Sequence, residues 1–291
     1  MIINLIMKIH IFILALFFSS ALACASPSFQ QDERVLHITL DSHSYSVAIP
    51  ELIEKAPPEK VTVFDIDFNE PRAYWAIPWS KLIAALGLEP EKIREAKQLS
   101  FVCLDGYTVN ADTANFFDTT KRAWLALASA DEQTADMPER INGRWRPLTH
   151  GDKSLGFDPF YLIWSDVEKT LAKRLPWPYQ LAEIKILGAD PYAALKPDSS
   201  NPQLQSGFTH FVEHCIRCHK IDGIGGDMGG DIIRDRAYIF HLGKETTIDL
   251  VKNITRYRPD TKMPDYSMEL SDEAFSSLWE YLLYRKQNND E

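Results

Sequence analysis

Between residues 35 and 188 the apolar positions fall into short runs separated by turn residues. Val35-Leu36-His37-Ile38-Thr39-Leu40 predicts a strand. Residues 61–68 alternate Val61, Val63, Asp65 and Asp67 against Thr62, Phe64, Ile66 and Phe68, which also suits a strand. Residues 99–104 and 107–110 flank Asp105-Gly106, a hairpin turn signal. Residues 160–164 and 181–187 are further apolar runs, and residues 79–86 (WSKLIAAL) have helical spacing. Many short strands with few helices predict an α+β or mostly β domain.

After residue 200 the pattern changes to helices. Residues 205–215, 246–256 and 271–286 are the candidates. Ser271 can cap the last one, with Glu273 in its first turn. Phe275, Leu278, Trp279 and Leu282 form its apolar face. Between the two regions, residues 191–202 read PYAALKPDSSNP, the composition of a linker. The expected organisation is multidomain: residues 1–25 a signal segment, 26–190 the first domain, 191–202 the linker and 203–291 an all-α second domain.

Composition sets outer bounds. A chain of 291 residues with 45% hydrophobic and 25% charged content is ordinary globular chemistry, long enough for two modest domains. A net charge of −10 argues against a nucleic-acid coat or a broad anionic-lipid surface. Four cysteines exclude a disulfide scaffold.

The amino-terminal segment MIINLIMKIHIFILALFFSSALACA has the order of a secretory signal: Lys8, an apolar run, then small residues. Translation from Met7 instead of Met1 would give the more typical basic start. Cleavage after Ala25 discards Cys24. The alternative is a lipid anchor on Cys24, although Ala21 and Leu22 stand in the reverse of the order a lipoprotein motif prefers. The expected location is the periplasm of a Gram-negative bacterium, with membrane attachment only if Cys24 is lipidated.

Cys215-Ile216-Arg217-Cys218-His219 is a C-x-x-C-H sequence, the attachment signature of c-type haem. Two thiols separated by two residues in a tight turn can reach the two vinyl groups of one porphyrin. The next residue can then aim its imidazole at the iron. A zinc site would need two more ligands, and a thioredoxin-like pair would want a βαβ setting.

Residues 201–287 resemble a class I cytochrome c domain. Gly207 and Phe211 match the family's first helix, and Leu278, Tyr281 and Leu282 match its last. The glycine-rich stretch GIGGDMGGDI (223–232) resembles the loop that follows the haem histidine. There the family usually reads G-P-x-L, whereas Gly229-Gly230-Asp231-Ile232 has glycine in the proline place. The resemblance implies one covalent haem c on Cys215 and Cys218, with His219 proximal and Met263 (in Lys262-Met263-Pro264) distal. Met268 and His241 are rival sixth ligands. Met228 lies in the loop just after His219, and His210 and His214 are expected at the surface or the haem edge.

Residues 35–188 resemble, through YWAIPW (74–79), the run 101–107 with its Asp105-Gly106-Tyr107, residues 160–164 and Trp177-Pro178-Tyr179, the sulfite-oxidase-like molybdopterin-binding fold. That family holds molybdenum through a cysteine thiolate. Cys103 is the one cysteine of this region and is read as a core residue, so the domain is expected to be a relative without the molybdenum cofactor. Its tryptophans and tyrosines (Trp75, Trp79, Trp124, Trp145, Trp164, Trp177, Tyr161, Tyr179) are expected in the core and turns. Asp65, Asp67 and Glu70 are expected to form a solvated strand face. Together these readings imply a single-electron carrier, rather than an enzyme, acting between periplasmic or membrane-bound redox proteins. The alternatives are a haem-containing molybdopterin oxidoreductase or its cytochrome subunit, and a haem-based ligand sensor.

Overall fold

The computed structural model describes residues 35–40, 43–130, 136–150 and 153–289. The signal segment with Cys24 lies outside them. No helix of the described residues is long and apolar enough to cross a membrane.

The first region is built on two sheets. Strands β1 (Val35–Leu40), β2 (His43–Ala48), β3 (Glu59–Asp65), β4 (Glu70–Pro78), β5 (Gln98–Cys103), β6 (Thr108–Asp112), β7 (Arg122–Ser129), β8 (Leu148–His150), β9 (Lys153–Leu155), β10 (Tyr161–Ser165) and β11 (Leu181–Leu187) follow in chain order. One sheet has the order β2-β1-β11-β5-β6 and the other β10-β7-β4-β3, while β8 and β9 pair alone. Short helices α1 (Ile49–Lys55), α2 (Trp79–Ala85), α3 (Pro90–Glu95), α4 (Ala114–Phe117) and α5 (Lys169–Ala172) connect them. β11 shows why these segments are strands: Ile184 and Ile186 are buried, while Glu183 and Lys185 alternate with them and pair with each other at 3.5 Å. Its parallel pairing with β1 joins segments far apart in the chain.

The two sheets share one apolar core. Phe116 links them, its ring 5.5 Å from Phe101 of β5 and 4.9 Å from Trp164 of β10. Each such aromatic pair adds about 0.5–1.5 kcal/mol beyond the area it buries. Trp79, Trp124, Trp145, Trp164, Trp177 and Tyr161 are buried, and Trp75 and Tyr179 pack partly buried against them. The fold is thus mostly β, as the run lengths predict. Cys103 is buried, and burial together with the Asp105 charge pushes its thiol well above the ordinary value.

The acidic stretch is a correction. Asp65 does not face water; it is fully buried. Its carboxylate accepts hydrogen bonds from the hydroxyl of Tyr74 at 2.5 Å, the hydroxyl of Tyr161 at 3.2 Å and the backbone amide of Asp67 at 2.9 Å. Tyr161 also lies 3.2 Å from Asp67. Burial, then the Asp65 charge, push the Asp67 carboxyl up to about 6. Between about pH 4 and 6 the folded chain therefore holds this proton more tightly than the unfolded chain. The contribution is fully present below that window and is lost as pH rises through it. Asp67→Asn should flatten this part of the melting-temperature profile. The effect should be below about 1 kcal/mol, because Asp67 keeps an exposed side.

The second region holds α6 (Pro202–His210), a π turn (Phe211–Cys215), α7 (Tyr238–Leu242), α8 (Lys244–Lys252), α9 (Ile254–Tyr257) and α10 (Asp272–Asn289). Ser271 caps α10, its Oγ accepting from the Ala274 amide at 3.2 Å. The region is not all-α. Strands β12 (His219–Ile221), β13 (Ile224–Gly225) and β14 (Gly230–Asp231) form a small sheet of order β13-β12-β14. Glycine permits backbone closeness there: a Cβ on Gly225 would lie 2.3 Å from the His219 carbonyl oxygen.

The proline-rich stretch is not a free tether. Leu195 is fully buried among Phe211, Tyr281 and Leu282. Its carbonyl accepts from the Tyr281 hydroxyl at 2.9 Å, and the Ala194 carbonyl accepts from Arg285 at 3.1 Å. The stretch is a strap tied to α10, and both regions belong to one compact unit.

Candidate haem site

α6 starts where the Asn201 side chain accepts from the Gln203 amide at 2.9 Å, with Pro202 in the first turn. It ends in the π turn, whose last bond runs from the Ile216 amide to the Phe211 carbonyl at 2.9 Å. Such widened turns recur at functional sites. Here the turn delivers Cys215 and leads into the tight bend that carries Cys218, whose amide donates to the Cys215 carbonyl at 3.1 Å. Ile216 anchors the bend in the core.

The glycine-rich loop closes over this bend. The Gly226 amide donates to the Ile216 carbonyl at 2.8 Å and the Gly229 amide to the Cys218 carbonyl at 2.6 Å. A Cβ on Gly226 would stand 1.9 Å from the Arg217 carbonyl oxygen, and one on Gly229 would stand 2.3 Å from the imidazole of His219. The place where proline was expected is explained by its backbone. Gly230 has φ of +74°, which proline cannot adopt.

A cavity of about 430 Å³ opens above the bend. Cys215, Cys218 and His219 line it, together with Met263, Phe211, Leu278, Trp279 and Leu282. Phe275 lines it too, so the apolar face predicted for α10 is the cavity wall. The buried residues of this region fall into two clusters. One surrounds Phe211, Ile216 and Tyr281, and the other holds Tyr266, Leu270 and Phe275 with Met263 packed against it. A domain usually has one contiguous core. A flat apolar group in the cavity would join the two clusters.

The donor set suits haem. Burial lowers the His219 pKa against the raising effect of the Gly229 and Gly230 backbone, which favours the neutral imidazole that iron requires. The Cys215 and Cys218 thiols are free, and burial pushes Cys215 up to about 12. A zinc site would need two further ligands, and among the described residues the two cysteines join no cluster of metal-ligating groups.

Among the rivals for the far side, Met268 is 95% exposed. His241 is exposed and does not line the cavity. Met228 lines it, but beside Gly229, against the His219 ring. His214 lines the cavity as well, and His210 lies four residues earlier on the same helix.

One contribution was not visible in the sequence. The turn between β5 and β6 reaches the C-x-x-C-H bend. The Thr108 amide donates to the Arg217 carbonyl at 2.8 Å, and the Gly106 carbonyl accepts from the Asp227 amide at 2.7 Å. Asp105 pairs with Lys262, next to Met263, at 3.1 Å.

No curated protein matches the chain. Residues 202–282 match the family described as cytochrome c oxidase, cbb3-type, subunit III, which supports a cytochrome c domain in this part of the chain and, with it, haem-based electron transfer.

Proposed function

We propose that the protein is an exported cytochrome with one covalent haem c, passing single electrons between periplasmic or membrane-bound redox proteins. The observation that carries this reading is the cavity that brings Cys215, Cys218, His219 and Met263 to one surface. Cys215 and Cys218 would hold the haem through thioethers, His219 would be the proximal ligand and Met263 the distal one. When bound, the haem supplies a one-electron couple. The chain's own part is to set that couple and protect it. The soft Met263 thioether would favour ferrous iron and so raise the potential. Phe211, Leu278, Trp279 and Leu282 keep water from the iron. With His219 and Met263 both given to the iron, no coordination position would be left for a substrate.

Residues 1–25 would direct export, with Cys24 a lipid anchor only if it survives processing. The first domain is proposed as a sulfite-oxidase-like relative without the molybdenum cofactor, which docks a redox partner. The buried, high-pKa thiol of Cys103 supports a structural part for that residue. The test uses protein matured in a periplasm. Its mass should exceed the processed polypeptide by one haem, and the reduced spectrum should not respond to carbon monoxide. Colourless protein of bare polypeptide mass would remove the cytochrome reading. A strong carbon monoxide response would replace the carrier with a ligand-binding haem. Molybdenum near one per chain would restore the oxidoreductase.

A further inference from the structure

We propose that His210, Glu213 and His214 form a binding site for a divalent transition-metal ion at the lip of the haem cavity. Each residue offers one ligand atom, and the three atoms lie within 4.8 Å of one another. That spacing lets one ion touch all three after small side-chain rotations. The histidines are four apart, on one face where α6 runs into the π turn, with rings 6.2 Å apart and inclined by only 33°. Glu213 already approaches His214, with Oε2 3.8 Å from Nε2.

The surroundings favour a prepared site. Nδ1 of His210 is buried without a hydrogen-bond partner, so no bond to the protein holds that nitrogen. His214 is fixed from behind. Its carbonyl accepts from the Tyr266 hydroxyl at 2.8 Å, and the Tyr266 ring stands edge-on to its imidazole at 6.0 Å. An ion would replace the unsatisfied nitrogen with a bond.

The ligand chemistry names the class of ion. Two imidazoles and one carboxylate suit zinc, copper, nickel or iron, and not magnesium or calcium, which prefer all-oxygen shells. Affinity at such a site rises toward Cu²⁺, with Zn²⁺ below it. Three protein ligands leave a fourth position for water or for a group on a partner.

The consequence for electron transfer rests on the cytochrome reading above. His214 lines the cavity and precedes Cys215, so an ion here adds positive charge beside the haem. That charge favours the reduced haem, which is less positive by one unit. Binding should raise the reduction potential, and reduction should in turn tighten binding.

The experiment titrates Zn²⁺ into untagged, chelator-treated holoprotein by calorimetry. One ion per chain is expected. His210→Ala, His214→Ala and Glu213→Gln should each weaken binding at least about tenfold, with haem spectra unchanged in His210→Ala and Glu213→Gln, whose positions do not line the cavity. Cu²⁺ in place of Zn²⁺ should give an electron paramagnetic resonance signal split by two nitrogens, lost in either histidine variant. The potential of the holoprotein should move upward on adding Zn²⁺ and stay fixed in the variants. Binding that is absent, or equal in wild type and variants, overturns the site. If the protein lacked haem but still bound one Zn²⁺ through these residues, the cytochrome reading would fail and the metal site would stand.

Discussion

Gly207→Ala is expected to destabilise the haem-loaded protein by about 3 kcal/mol or more, the upper end of what overpacking costs. Gly207 is buried where α6 crosses α10. A Cβ built there would lie 2.1 Å from the Ser277 carbonyl oxygen and 2.6 Å from the Tyr281 Cβ. The first of these is helix backbone, which cannot rotate aside as a side-chain tip can. The two helices would have to separate, and the buried Phe211 and Tyr281, whose rings stand 6.0 Å apart, would lose their packing. Greater helix propensity for alanine recovers only about 1 kcal/mol. Thermal unfolding followed at the haem absorption band should show the melting temperature falling by roughly 10 °C. Gly188→Ala is the matched control, because nothing lies within 4 Å of its Cβ position. It should stay within about 0.5 kcal/mol of wild type. Equal stability of Gly207→Ala and Gly188→Ala would mean that the crossing is looser than described.

What could be read in the sequence follows the range of the interactions. Gly207, the apolar face of α10 and the C-x-x-C-H bend rest on spacings of a few residues; the structure places the last two in one cavity wall and Gly207 at the crossing of α6 with α10. The hairpin at Asp105-Gly106 and the strand at 181–187 are equally local patterns. The failures come from partners far along the chain. Asp65 looked like a solvated residue because its acceptors' partners, Tyr74 and Tyr161, are 9 and 96 residues away. The proline-rich strap looked like a tether because the hydroxyl that ties it, on Tyr281, is 86 residues from Leu195. The small sheet beside His219 consists of two- and three-residue strands, too short for any periodicity to register. Glycine in the proline place at Gly230 goes with a left-handed backbone, φ +74°, that the sequence alone does not display and proline cannot adopt.

Gly106→Ala is expected to disturb the haem from the opposite domain. Gly106 has φ of +87°, and a Cβ there would stand 2.7 Å from the Met228 amide nitrogen and 2.9 Å from the Asp227 carbonyl carbon. Left-handed backbone costs an ordinary residue about 1–2 kcal/mol, and the clash adds about 1–3 kcal/mol. Both costs fall on the contact where the β5–β6 turn meets the loop after the haem histidine. The next residue in that loop, Gly229, is the one pressed against the His219 ring. A shift of the loop is therefore passed to the His219 ring, the proposed iron ligand. The variant should unfold at lower temperature, with the transition split between the two regions, and its reduction potential should differ from wild type. Asp105→Asn offers the contrast. It removes the ion pair with Lys262, whose side chain is 60% exposed, and leaves the backbone bonds of Gly106 and Thr108 in place. It should cost less than about 1 kcal/mol. If Asp105→Asn were the more damaging of the two, charge rather than backbone fit would hold the domains together. If Gly106→Ala unfolded in one unshifted transition with an unchanged potential, the β5–β6 turn would not brace the haem.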